Sequence, residues 1–285
     1  MKLPRQHTTR AVSRWGRVAV LAACLSTARG LAQTTDEPEL VTDRPDQTES
    51  TAIVPAGRVQ IELGANRAAD EIGDDAGEVE IDAWNFAGTL VRVGLADRFE
   101  LRLGWEGWLD EEVTIGRHRA SEEGAGDAVV GAKVKLREGD GTSPAIALLV
   151  HSSVPVGDDA FSTDRFDPSF RLSVSHDLPG DIGLGYNVGA RTESSPADGG
   201  GHATLSSAIY TLSAGFSAGD RWGLFVEAFG EVPLSAEGGP AHLLDGGVTY
   251  LLRPNLQLDA AAGVGISEAA PDWFAGIGVS VRLPR

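Results

Sequence analysis

Apolar and polar side chains alternate one for one along most of this 285-residue chain. In "RVQIELGAN", Val59, Ile61, Leu63 and Ala65 alternate with Arg58, Gln60, Glu62, Gly64 and Asn66. In "RFELRLGWEGW", Phe99, Leu101, Leu103 and Trp105 alternate with Arg98, Glu100, Arg102, Gly104 and Glu106. "DAVVGAKVKLR", "NLQLDAAAGVGIS" and "DWFAGIGVSVRL" repeat the pattern. A period of two sends successive side chains to opposite faces of a strand, giving one apolar and one polar face. No stretch beyond residue 32 has a convincing helical period. The pattern predicts an all-β protein of about twelve strands, near 58–67, 83–94, 98–108, 127–137, 144–154, 169–177, 181–192, 203–217, 221–232, 242–252, 255–266 and 272–283.

The connections alternate in length. Three long acidic links, "AADEIGDDAGEVE", "LDEEVTIGRHRASEEGAG" and "PVGDDAFSTDRFD", take turns with tight ones such as "LADR", "EGDGTS", "LPGD", "AGD" and "RP". An even number of strands with long outer loops and short inner turns predicts a transmembrane antiparallel up-and-down β-barrel over residues 58–285, of the Gram-negative outer-membrane type. The long links at 68–82, 109–126 and 155–167 are then outside the cell, and both termini are periplasmic. Phe99, Phe216, Trp222 and Tyr250 fall on the apolar parity beside short turns, and Trp105 and Trp273 near the long links. These two sets predict the interfacial aromatic girdles of a membrane barrel. One strand resists: in "AWNFAGTLVRVG" Arg92 fits one parity, and Trp84 and Phe86 then point inward unless a bulge intervenes.

The N-terminus changes the compartment. Lys2, Arg5, Arg10, Arg14 and Arg17 precede the apolar run "VAVLAACLSTA", and "GLA" offers small residues for cleavage after Ala32. Residues 1–32 read as a signal peptide, too short in its apolar core to span a bilayer. A rival reading of "LAAC" has Cys24 as a lipid attachment site. Cleavage after Ala32 leaves no cysteine, hence no disulfide, and 18 bases against 41 acids. Such a chain excludes nucleic acid as a partner, since that binding rests on Lys and Arg neutralising phosphates. Between signal and barrel, residues 33–57 form a separate segment, periplasmic or inserted into the lumen.

Several stretches together resemble a known family: "TDRPDQTES", "VPAGRVQIELG", "RVGLADRFELRLGW", "GAGDAVVGAKVKL", "PAIALLVHSSVPVG" and "LDAAAGVGISEAAPDWFAGIGVSVRL". They look like the outer-membrane proteins named for the meta-pathway of phenol degradation, from about residue 40 to the end. The resemblance implies a barrel transporter for aromatic or other small hydrophobic compounds. The chain departs from many outer-membrane barrels in ending "RLPR" rather than on an aromatic residue.

Assigning the polar parity to the lumen places Glu62, Glu100, Arg102, Glu106, Lys133, Lys135, Arg171, Arg191, Glu227, Glu231, Asp245, Asp259 and Arg282 inside. Both signs occur, which argues against strong ion selectivity. The segment "LVTDRPDQTES" is charged without apolar pattern; as a lumen plug it would use Asp43, Arg44, Asp46 and Glu49, with Pro45 and Pro55 keeping it out of the sheet. On that reading the acids meet Lys133, Lys135 and Arg171, and Arg44 meets Glu227 or Asp245, while Gly57 supplies the bend into the first strand. As a free tail, the segment needs no such order.

Catalysis finds little support. His151 and Ser152 are consecutive on a strand and face apart, and Ser153 sits about 6–7 Å from His151 along it, beyond hydrogen-bond reach. No phosphate-cradling glycine loop and no His/Cys metal spacing is present, so no cofactor or metal is expected. The acid runs Asp70, Glu71, Asp74, Asp75 and Glu111, Glu112, Glu122, Glu123 read as solvated surface or as a weak divalent-cation contact to lipopolysaccharide. The partners expected are outer-membrane lipid and lipopolysaccharide, the barrel assembly machinery and a small-molecule solute, with the barrel monomeric. Two functions remain: a passive diffusion channel, or a structural or surface-binding barrel with a closed lumen.

Overall fold

A computed structural model describes residues 38–74, 77–140, 143–196, 201–234 and 238–284. The signal peptide expected at 1–32, with Cys24, lies outside the described residues. The strands are β1 (Val59–Asp74), β2 (Gly77–Ala96), β3 (Phe99–Trp105), β4 (Trp108–Ile115), β5 (His118–Ala125), β6 (Ala128–Arg137) and β7 (Ala145–Val154). They continue with β8 (Pro168–Leu178), β9 (Ile182–Pro196), β10 (His202–Ala218), β11 (Trp222–Pro233), β12 (Ala241–Arg253), β13 (Leu256–Gly265) and β14 (Trp273–Leu283). No helix occurs among the described residues.

The sheet closes on itself. β1 pairs antiparallel with β14 from Val59↔Leu283 to Ala69↔Trp273, and with β2 on its other side. β3 and β4 pair in succession with β2, and β6 and β5 continue from them in the same way. Backbone bonds carry the pairing across the breaks at Glu106–Gly107 and Gly126–Asp127: Glu106 N–H reaches the Asp127 carbonyl at 2.9 Å, and Gly126 N–H the Gly107 carbonyl at 2.8 Å. Counted as spanning strands, β3–β4 and β5–β6 are each one, and the fold is a closed antiparallel barrel of 12 strands. Full closure leaves no edge strand, as lipid requires.

Two of the three long links are sheet rather than loop. Residues 68–82 continue β1 and β2 up to Asp74 and Gly77, and 109–126 form the β4–β5 hairpin. Only 155–167 is irregular, pinned by the buried Asp127, whose carboxylate accepts from the amides of Val156 (3.1 Å) and Gly157 (3.0 Å).

The polarity is inverted relative to a water-soluble protein. Val150, Val188, Leu212, Val226 and Ile277 are exposed on the outer face, whereas Glu62, Arg92, Glu100 and Lys133 are wholly buried inside. A continuous apolar exterior of this extent belongs in hydrocarbon. The awkward strand carries a β-bulge. Gly64 faces Gly88 but Asn66 faces Asn85, so Phe86 and Ala87 together oppose Ala65, and Ala87 takes a φ of 53°. The bulge reverses the parity of β2: Arg92 points in below it, while Trp84 and Phe86 point out above it, stacked at 5.4 Å. At the short-turn end Trp222 and Tyr250 lie with ring centroids 4.5 Å apart, and Phe99 and Phe216 are exposed nearby in the sequence pattern's apolar set.

Candidate functional site

Residues 38–57 run up from the short-turn end along the inner wall, reach their highest point near Asp46, and return to β1. At the bottom, the Arg282 guanidinium donates to the carbonyl of Glu39 at 2.9 Å and to that of Pro38. On the return, Gly57 N–H donates to the Gly94 carbonyl at 2.7 Å, and its φ of 77° makes the turn that a Cβ would oppose. Between these points the segment forms no strand. Its amides are satisfied by side chains of the wall: Asp43 N–H by Glu62 (3.0 Å), Gln47 N–H by Glu227 (2.7 Å), Glu49 N–H by Asn187 (2.7 Å) and Val54 N–H by Glu100 (2.8 Å). Buried backbone donors need partners, and here polar wall residues supply them in place of a ladder.

A dense ion network lies under this segment. The Asp43 carboxylate stands 2.6 Å from Arg102, 2.9 Å from Lys133 and 3.1 Å from Arg92. Arg92 also holds Glu62 at 3.0 Å and Glu100 at 2.9 Å, and Arg102 holds Glu49 at 2.7 Å and Glu100 at 3.0 Å. His151 joins it, its Nε2 accepting from the Arg102 Nε–H at 2.9 Å, so that ring serves the network rather than a serine. Most of these charges are shared by two or more partners, and Glu49 has Arg102, which is what makes their burial tolerable.

Arg44 occupies a slot beside this network, between β1 and β14. Its Nη2 donates to Asp259 and to the Ile277 carbonyl, both at 3.1 Å. Gly64 and Gly278 face one another across β1 and β14, and a Cβ on either would fall on the guanidinium. Farther up, Thr48 donates to Glu227 and lies 2.7 Å from Thr211. Asp245 pairs with Glu227 across β11 and β12, and among the described residues no amide, hydroxyl or cationic donor reaches either of its buried carboxylate oxygens.

The partners differ from those the sequence led us to expect. Arg44 meets Asp259 on β13, not Glu227 or Asp245, because the glycine slot that admits its guanidinium is formed by β1 and β14 beside it. Lys135 sits by the short turn, 3.0 Å from Glu138, too low to reach the acids of the segment. Arg171 touches the segment only through the Gln47 carbonyl, at 3.2 Å. Lys133 does meet Asp43. Glu106 accepts from Asp127 N–H at 3.0 Å, and Arg191 pairs with Glu231 at 2.6 Å and Glu193 at 3.5 Å. Sequence reasoning omitted Arg92, which the network is built around, because the bulge hid its parity. It also omitted the neutral partners Asn187, Thr48 and Gln60, which carry no charge to draw attention.

Above Asp46, toward the long-link end, a cavity of about 240 Å³ opens. Its floor is the segment from Asp43 to Gln47; Arg171 and Arg191 line one side, and Phe229, Leu243 and Phe274 another.

The closed barrel resembles solved outer-membrane structures. The COG4313 outer membrane channel from Pseudomonas putida F1 superposes with a TM-score of 0.59 at 13% identity, covering 82% of this chain and 98% of that one. The translocator domain of the autotransporter NalP from Neisseria meningitidis gives 0.55 at 12% identity, over 79% and 88% of the two chains. The NanC porin gives 0.50 at 10% identity, over 79% and 100%. At these identities the likeness is one of fold. No curated protein matches the sequence significantly. The family described as "Putative MetA-pathway of phenol degradation" matches residues 42–283, which takes in both the charged segment and the whole barrel. The chain belongs to that family, and it is a β-barrel of the outer membrane.

Proposed function

We propose that the protein is a channel for passive uptake of small aromatic or hydrophobic molecules, held closed at rest by residues 38–57. The observation that carries this reading is the cavity above the segment. Its wall includes Phe229, Leu243 and Phe274, an apolar patch beside a cavity in a lumen lined largely by polar and charged side chains. A lumen serving only as a structural core gains nothing from apolar side chains around empty space. The family's description points to phenolic compounds, and the Pseudomonas putida relative is described as a channel. A non-conducting barrel is favoured by a different observation: a buried ion network ties the segment to the wall where Arg92, Arg102 and Lys133 converge on Asp43.

Planar-bilayer recording of the full-length protein and of a form lacking residues 38–52 separates the two. The channel reading expects small conductance from the first and a clear increase from the second, with both barrels still heat-modifiable on gels. Equal, negligible conductance from both folded forms supports the non-conducting barrel.

A further inference from the structure

The cavity above the segment has two unlike walls, and the pairing of strands explains why. On β11, β12 and β14 the inward parity that carries Glu227, Asp245 and Ser280 lower down carries Phe229, Leu243 and Phe274 higher up. The rings of Phe229 and Phe274 meet edge to face at 5.9 Å, and Leu243 packs with Ala241 and Ala270 behind them. This wall is fixed by its own packing and needs no solute to hold it. Across the cavity stand β8 and β9 with Arg171, Asn187 and Arg191.

The two arginines differ. Arg191 is committed, held by Glu231 at 2.6 Å. Arg171 makes one hydrogen bond, from Nη1 to the Gln47 carbonyl at 3.2 Å. Among the described residues no carboxylate lies within ion-pair distance of it, although Arg44, Arg92, Arg102 and Arg191 each have one. Glu49, an acid of the segment, is given to Arg102 at 2.7 Å. A guanidinium has five N–H donors in a rigid fork, so Arg171 offers the cavity a half-buried cation with most of its donors free. The other acids around the cavity are engaged: Asp43 by Arg92, Arg102 and Lys133, and Glu231 by Arg191. Asp46, on the floor, stands by Glu227 and makes no ion pair with Arg171.

We propose that Arg171 is the anion-binding point of a solute site, and that the solutes it favours are compact ring carboxylates. The carboxylate accepts from Arg171, and the ring lies on Phe229, Leu243 and Phe274. A cavity of about 240 Å³ suits a single ring, being smaller than the ~300–1,000 Å³ pockets that hold drug-sized ligands. This site rests on the channel reading for its role in uptake, but its binding can be measured without any conduction.

Benzoate titrated calorimetrically into the detergent-solubilised full-length protein tests the site, with phenol (ring, no carboxylate) and acetate (carboxylate, no ring) as comparisons. Benzoate is expected to bind more tightly than either. Arg171→Gln is expected to weaken benzoate by about tenfold or more, as loss of a charge-assisted hydrogen bond does, while leaving phenol unchanged. Arg171→Lys restores part of the loss, and Phe229→Ala weakens both ring compounds. Each variant must remain heat-modifiable, which shows the barrel intact. Equal benzoate affinity in the parent and in Arg171→Gln, or acetate binding as tightly as benzoate, overturns the proposal. A barrel that binds benzoate through Arg171 yet never conducts keeps the site and discards the channel; one that conducts after segment deletion yet binds no benzoate does the reverse.

Discussion

Asp43 concentrates the energetics of the lumen segment in one side chain. Its carboxylate faces three buried cations, and it also accepts from Ser50 N–H at 2.9 Å and the Ser50 hydroxyl at 2.7 Å, which shapes the segment locally. Asparagine keeps the size and much of that local bonding but removes the charge. Breaking a buried ion pair by removing one partner costs about 3–5 kcal/mol, because the remaining charges stay buried. Asp43→Asn is therefore expected to speed amide exchange in residues 38–57 by orders of magnitude, with β8–β13 unchanged. Unaltered exchange in the segment removes Asp43 from its place at the centre of the network. The sequence made Asp43 and Lys133 legible as charges wanting partners, but not the pairings. Charge sign selects a class of partner, whereas depth in the barrel selects the individual, and depth depends on register. Arg92 shows the same limit more sharply, since one extra residue at Phe86–Ala87 inverted the parity by which it was read.

Whole strands were far more legible than the pairings within them. A period of two persists over ten or so residues, so an error at one position does not move the element. All twelve spanning strands lie where the alternation placed them, and the departures are extensions. The long acidic links were read as loops because their charge density outweighed a weaker signal, the alternation of Glu78, Glu80 and Asp82 with Val79 and Ile81. In the β4–β5 hairpin that acidity has a consequence. Glu111 pairs directly with Glu122, and Asp110 with Glu123, past the exposed Trp108 in the projecting end of the hairpin. Burial and the Glu122 carboxylate opposite push Glu111 up to about 7. A carboxyl raised in the folded state holds its proton longer there than in the opened hairpin. The hairpin is thus most stable below the ordinary glutamate range, near pH ~4.3, and loses stability as pH rises from there through 7. Amide exchange over 108–125 should be slower at pH 5 than at pH 8, after correction for intrinsic rates, and Glu122→Gln should flatten the difference. An identical pH response in that variant removes the pair as its cause.

At the scale of the molecule, the barrel combines an apolar exterior with a charged interior, and both consequences can be tested on one strand. Ala262 is exposed on the outer face of β13, and Ala261, its neighbour, lines the inner cavity. An arginine on the lipid face near the midplane costs about 2–4 kcal/mol, and little in the lumen. Ala262→Arg should impair assembly far more than Ala261→Arg, and equal yields of folded barrel contradict the assignment of faces. The orientation of the whole barrel follows from a separate argument. Its connections are unequal at the two ends: the β1–β2 and β4–β5 hairpins project from one, while the other closes with turns as short as Gly219–Arg221 and Pro254–Asn255. Short turns face the periplasm in outer-membrane barrels and longer connections face outward. The segment 38–57 enters from the short-turn end beside Arg282, where a chain delivered from the periplasm can seat itself without crossing the membrane. Cysteines substituted singly for Ile72 and Glu122, on the projecting hairpins, should react with an impermeant maleimide on intact cells. A cysteine in place of Gly180, at the opposite end in the β8–β9 turn, should react only after the outer membrane is permeabilised. Labelling of the Gly180 position alone on intact cells inverts the barrel and places the cavity with Arg171 on the periplasmic side.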